Sequence, residues 1–297
     1  NDQISISPVD YGNPDLTWEK SKMFQTGIEF SLGKYLDGSI DYYQKNTSNL
    51  LFRRRVGPSV GYAFLQVNDG LLRNRGVEFD FTAHIIKKKN VGFDFEINGA
   101  FLKNKLVRMP IDPATGKPKV LDIQGLYGRA ANHSLFDFYV REWAGVDPAD
   151  GTAMWYEYYY DANGNGTLDK GEGISSLFEY QQKNPTNKIS VTTTKTYADA
   201  TQKYANKSAI PIINGAFRLS FRYKSFSLTT QFLYSLGGWA YDRQYATLMG
   251  NGVIGSNNWS TDIMARWQKP GDITNVPKLD NHDHTNVNSG STRFLTK

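Results

Sequence analysis

The chain has 297 residues, no cysteine, and a net charge of +5 at pH 7 from 34 Lys and Arg against 29 Asp and Glu. Without thiols, a disulfide framework and thiolate metal sites are excluded, and the small charge excess, with no basic stripe, weighs against a nucleic-acid partner. Aromatic residues make up 14% of a chain whose mean hydropathy is −0.52, which suits a wall greasy on one face and wet on the other. No apolar run reaches the roughly 18 residues of a transmembrane helix. Asn1-Asp2-Gln3-Ile4 lacks the basic and apolar regions of a signal peptide, so the chain is expected to start in a mature protein or in mid-protein.

The first element runs over residues 24–32, where Phe24, Thr26, Ile28, Phe30 and Leu32 alternate with Gln25, Gly27, Glu29 and Ser31. A polar turn is expected at 33–38. Over 75–85, Val77, Phe79, Phe81, Ala83 and Ile85 oppose Glu78, Asp80, Thr82 and His84. After a turn at 87–90, Phe93, Phe95, Ile97 and Phe101 oppose Asp94, Glu96 and Asn98. Residues from about 107 to 211 hold no comparable pair of strands, and 181–207, rich in Thr and Lys, reads as exposed loop. Alternation returns with Phe217, Leu219, Phe221 and Tyr223 against Arg218, Ser220, Arg222 and Lys224. A turn at Lys224-Ser225 then leads into Phe226, Leu228, Thr230, Phe232 and Tyr234. A period of two predicts strands with one apolar and one polar face.

A soluble β-sandwich also alternates. Charge in the strand centres, at Glu29, Asp80, Glu96 and Arg222, fits a water-filled lumen instead, and aromatic residues at strand ends fit interfacial girdles. Short turns at one end and long loops at the other complete the pattern of an antiparallel transmembrane β-barrel.

Particular segments then resemble one family. Asn13-Pro14-Asp15-Leu16-Thr17-Trp18-Glu19 resembles the "NPxLxWE" segment of SusC-like TonB-dependent outer-membrane transporters, and the stretch 38–51, with Asp41-Tyr42-Tyr43-Gln44-Lys45, looks like their next strand. Asn74-Arg75-Gly76-Val77-Glu78 is similar to the "NxGxE" strand start, and Gly145-Val146-Asp147-Pro148-Ala149-Asp150-Gly151 to the "GvDPxTG" loop. Arg266-Trp267-Gln268-Lys269-Pro270-Gly271-Asp272 and Ser291-Thr292-Arg293-Phe294-Leu295 continue the series in order. The resemblance implies an all-β fold: a partial barrel of about 8–10 of roughly 22 strands, with residues 1–297 as its later portion, long extracellular loops at about 107–211, and the plug domain absent. It implies location in the outer membrane of a Gram-negative bacterium, in contact with outer-membrane lipid. It also implies TonB-dependent import of oligosaccharides or oligopeptides with two partners, a SusD-like surface lipoprotein and the TonB–ExbB–ExbD complex. The alternative is a soluble or surface β-sheet glycan-binding module or adhesin.

Catalytic constellations are missing: no nucleophile elbow or Cys-His pair occurs, and residues 250–255 lack the Lys-Ser/Thr of a phosphate loop. No enzyme and no required cofactor are expected. Residues 161–172 fit the calcium-loop pattern D-x-[DN]-x-[DN]-G-x5-E, with side-chain oxygens from Asp161, Asn163, Asn165, Asp169 and Glu172 and the carbonyl of Thr167 around a structural calcium; a polar turn is the other reading. His282 and His284 could face a metal, though an exposed turn is the simpler expectation. For ligand contact, Trp143, Trp155, Tyr156, Tyr158, Tyr159 and Tyr160 offer stacking faces for sugar rings or peptide side chains, or else packing against the partner lipoprotein.

Overall fold

The structure, a computed structural model, describes residues 13–55, 64–112, 115–250, 258–279 and 286–297. It divides into two compact units. The first is built on one antiparallel sheet of six strands: β1 (Lys20–Leu32), β2 (Leu36–Arg55), β3 (Phe64–Lys87), β4 (Val91–Arg108), β5 (Ile213–Tyr223) and β6 (Phe226–Leu236). Each strand pairs with its sequence neighbour in this list, so the sheet is a plain meander. A tilted strand needs about 9–11 residues to cross a bilayer. β5 and β6, with 11 residues each, match that length, and β2, β3 and β4 run well beyond it.

Register keeps the alternation coherent across the sheet. Glu29 pairs with Ser39, Ser39 with Asp80, and Asp80 with Asn98, so these residues share a face. Ile28, Ile40, Phe79 and Gly99 form the neighbouring row on the opposite face. Tight turns join β1 to β2, β3 to β4 and β5 to β6 at one end of the sheet, with Lys224 at a φ of 51° in the last. The long connection from β4 to β5 leaves from the other end.

Small residues open room for large rings on the apolar face. A Cβ at Gly99 would lie 2.6 Å from both the Phe79 ring and the Tyr234 hydroxyl, and one at Gly215 would lie 2.7 Å from that hydroxyl. Tyr234 uses this space to lie across the strands and donate to the Asn98 carbonyl at 2.7 Å. An aromatic ring thus covers glycines that would otherwise leave the pleat bare.

The second unit takes residues Leu121–Arg129, Phe136–Ile210 and Gly237–Lys297. Beside a two-stranded pair of Ala240–Tyr241 with Leu295–Thr296, it contains two four-stranded antiparallel sheets. One comprises Trp143–Val146, Ala153–Tyr159, Gly173–Ile174 and Ser190–Thr194; the other comprises Asp122–Gln124, Tyr127–Arg129, Asp137–Arg141 and Gln202–Ser208. Two short helices belong to the unit as well: α1 (Leu177–Lys183), between two strands of the first sheet, and α2 (Arg243–Leu248).

The wall strands among the described residues number six, and the other strands there are two to seven residues long. Most of 121–210, within the long connection between wall strands, is folded together with 237–297. One expectation is corrected. Residues 181–207 are not simply exposed: they supply two strands, and Ala200 and Thr201 are fully buried. Thr201 hides well because its hydroxyl donates to the Ile174 carbonyl at 2.5 Å and accepts from the Tyr158 amide at 2.8 Å. A polar side chain with both needs met can sit in a core.

Candidate functional site

The six-stranded sheet separates chemistry between its faces. On the apolar face, Phe30, Phe81, Phe79 and Phe101 follow one another at centroid spacings of 6.2, 5.4 and 6.3 Å. Phe232 stacks on Phe217 at 4.8 Å. Large apolar residues at the sheet edges, including Phe24, Ile28, Leu32, Phe226, Leu228 and Phe232, are exposed.

The polar face carries ions. Arg218 reaches Glu96 at 3.0 Å and Gln231 at 3.3 Å. The His84 ring bridges Asp94 at 2.6 Å and Asp37 at 3.0 Å. Asp41 and Glu78 stand directly opposite each other across β2 and β3. Together with Glu29 and Asp80 they have no ion-pair partner among the described residues, which is tolerable only where water reaches them.

Three of the segments that resemble the transporter family converge in the second unit. In the first, Gly151 has a φ of +74°, and a Cβ there would meet the Trp267 ring at 2.5 Å. Trp267 donates its indole N–H to the Pro148 carbonyl at 3.0 Å, and the Gly271 amide donates to the same oxygen at 2.8 Å. Lys195 clamps the turn between Asp147 at 2.6 Å and Asp150 at 2.7 Å, and its ammonium holds both carboxyls below their usual range.

The third segment closes the cluster. The Thr292 hydroxyl accepts from the Trp143 amide at 3.0 Å, and the Arg293 guanidinium lies 4.7 Å from the Trp143 ring and 4.8 Å from the Phe294 ring. It donates to the Val287 and Asn275 carbonyls at 2.9 and 3.2 Å. Burial pulls Arg293 down to about 10. Sequence reasoning missed this residue as an organiser. Its place beside an aromatic in a conspicuous segment is the signal that could have found it.

The expected ligand residues divide by alternation along Ala153–Tyr159. Trp155 and Tyr159 are 2% and 5% exposed and belong to the core. Trp155 meets Trp143 and Tyr197 edge-on at 5.6 and 5.4 Å. Tyr156, Tyr158 and Tyr160 lie on the other side, half-buried. Tyr158 donates to Glu142 at 3.0 Å and accepts from Lys203 at 2.8 Å, and Tyr160 sits 6.4 Å from Tyr180. Trp143 is half-buried beneath Arg293. Glu157, on the core side, is pushed up by burial and by the nearby Asp199 charge.

The turn at 161–172 is held by its own hydrogen bonds. Asp161 accepts from the amides of Gly164, Asn165 and Gly166 at 2.8, 3.1 and 2.8 Å. Glu172 accepts from Ala162 and Asp169 at 3.0 Å each. Asn163 and Asn165 donate to Asp169 at 2.7 Å each, while Thr167 donates to Asn165 at 2.8 Å. Among the described residues no three His, Asp or Glu side chains converge as a metal site. A cation would need the two amides turned so that their oxygens face Asp169. His282, His284 and most of 250–255 lie outside the described residues.

A wall of membrane-spanning length, apolar on one face and ionic on the other, defines a segment of a transmembrane β-barrel. The family model described as TonB dependent receptor-like, beta-barrel matches residues 2–169, and the chain belongs to that family. TonB-dependent receptor P3 of Formosa agariphila is 27% identical over 277 residues, which is 91% of this chain and 25% of that protein. TonB-dependent receptor SusC of Bacteroides thetaiotaomicron is 26% identical over 169 residues, 54% of this chain and 17% of that protein. The chain thus spans a quarter or less of the length of these two curated relatives. The solved structure of the RagAB peptide transporter superposes with a TM-score of 0.73 at 22% identity, over 99% of this chain and 29% of its own. Another, the RagAB peptide importer in the "closed-closed" state, gives 0.75 at 22% identity. The two relatives are named as TonB-dependent receptors, and the two solved structures as a peptide transporter and importer.

Proposed function

We propose that the chain is the later part of the barrel of a TonB-dependent importer in the outer membrane, which takes up oligopeptides or oligosaccharides with a SusD-like surface lipoprotein. The observation that carries the reading is the sheet itself. Its aromatic face is left exposed while its other face holds unpaired carboxylates, which suits lipid on one side and a wet lumen on the other. The long connection from β4 to β5 and the segment after β6 build the second unit, which would meet the partner and the ligand. Energy comes through TonB–ExbB–ExbD acting on the plug. A soluble glycan-binding module would cover an apolar face of this size with a second layer.

The test uses cells that produce the full-length protein, supplied with labelled oligopeptides and labelled oligosaccharides. One class is expected to accumulate, and accumulation should be lost when either TonB or the partner lipoprotein is deleted. Uptake indifferent to TonB, or a full-length protein that stays monodisperse without detergent, would sink the reading.

We propose separately that 161–172 binds a structural calcium, a reading supported by the loop pattern and by the second lone pair that each accepting oxygen retains. Millimolar calcium is expected to raise the unfolding temperature of the full-length protein and to lose that effect in Asp161→Asn. An equal midpoint with calcium or chelator would leave a self-bonded turn.

A further inference from the structure

The second unit contains a cavity of about 480 Å³ that no feature described so far uses. It lies between residues 124–127 and 239–243, with Ala209 at its edge. This is within the range of roughly 300–1,000 Å³ typical of small-molecule sites. Its aromatic walls are fixed in place. Tyr127 packs at 5.0 Å on Phe138 and edge-on at 5.8 Å against Phe136. Tyr241 meets Phe294 edge-on at 6.1 Å and donates to the Asn288 carbonyl at 3.1 Å. Rings held this way lose little freedom when a ligand arrives.

Arg243 is the charged residue that lines the cavity, and two more cations stand over the ring of Trp239. The Lys207 ammonium sits 4.0 Å from the centre of the Trp239 ring, and the Lys297 ammonium lies 5.4 Å from it. None of these three cations has a carboxylate partner among the described residues, and no Asp or Glu lines the cavity. The nearest acid in sequence, Asp242, is already committed: it caps the following helical turn by accepting from the Tyr245 amide at 2.8 Å.

We propose that this cavity is a subsite for a carboxylate carried on an apolar or ring-shaped body. Tyr127, Trp239 and Tyr241 would hold the body, and Arg243 would hold the anion, with the field of Lys207 and Lys297 on Trp239 adding to its pull. A guanidinium presents a fork that matches a carboxylate. Amines resting on an indole face are partly desolvated, which strengthens their pull on an anion. Two ligand sources share this chemistry: the C-terminal residue of a short peptide with a large apolar side chain, and the acidic end of a uronate oligosaccharide. The assignment rests on the import reading and deepens it by naming the ligand group.

The experiment is calorimetric titration of the full-length protein in detergent. The probes are Ala-Ala-Phe with a free C-terminus, its C-terminal amide, a tri-uronate and a neutral trisaccharide. One carboxylate probe is expected to bind about tenfold or more tightly than its uncharged counterpart, and to weaken with added salt. Arg243→Gln and Trp239→Ala are each expected to remove most of that preference. Arg243 is exposed, so its variant keeps the fold and serves when Trp239→Ala does not. Equal binding of charged and uncharged probes, no binding of any probe, or an Arg243→Gln protein that binds like the parent would each overturn the subsite. Such results beside intact TonB-dependent uptake leave import standing, whereas loss of that uptake in the parent protein fails import itself.

Discussion

Arginine in place of Phe232 is expected to keep the full-length protein from accumulating folded in the outer membrane, whereas arginine in place of Thr229 is not. Phe232 lies near the middle of β6 on the apolar face, exposed to whatever surrounds the sheet. If that surrounding is hydrocarbon, a guanidinium there costs about 2–4 kcal/mol near the bilayer midplane and much less near its edges. The substitution also removes the 4.8 Å stack on Phe217, a further contribution of about 0.5–1.5 kcal/mol. Thr229 pairs with Ser220 on the polar face, where water solvates an added charge. Adding Ile28→Arg on β1, at the far side of the sheet, should deepen the defect additively because the two sites share no partner. Heat-modifiable mobility of outer-membrane fractions reads the result. Similar folded yields for Phe232→Arg and Thr229→Arg would mean that the aromatic face meets water or protein, and the barrel reading would fall.

Trp155→Ala is expected to unfold the second unit locally, at a cost of about 3–5 kcal/mol for truncating a buried tryptophan. The ring is almost wholly buried and joins Ala153, Ala200 and Val287, with Trp143 and Tyr197 edge-on against it. Losing it would open a cavity where the transporter-like segments meet. Limited proteolysis of the full-length variant should therefore cut within 143–208 while the wall keeps its heat-modifiable mobility. Tyr156→Ala, on the half-buried side of the same strand, should leave the protease pattern unchanged. A Trp155→Ala protein as protease-resistant as the parent but defective in uptake would instead make this ring a ligand contact.

The contrast between the two cases shows how legible the chain is. Glu29, Asp80, Glu96 and Arg222 could be placed on the polar face without coordinates, because a strand sends successive side chains to opposite sides whatever its partners are. The tight turns were equally local, although the first is shorter than expected and β2 starts at Leu36 rather than beyond Gly38. Aromatic residues were harder to assign. Trp155 and Tyr156 look alike as stacking faces, and only packing makes one of them core and leaves the other half-exposed. Trp239 and Arg243 carried no pattern at all, since their cavity is made with residues more than a hundred positions earlier.

The sequence by itself therefore determined five alternating strands with their two faces, a sixth through the family resemblance, and the hairpin turns, because each is written in spacing over a few residues or in short collinear segments. The tertiary structure alone decided that 121–129, 136–210 and 237–297 make a second folded unit. It also decided that Trp267 packs on Gly151, that Arg293 stacks on Trp143, and that the cations gather around Trp239. These contacts join residues far apart in the chain, and their energy comes from burial, a property of the folded packing rather than of local order.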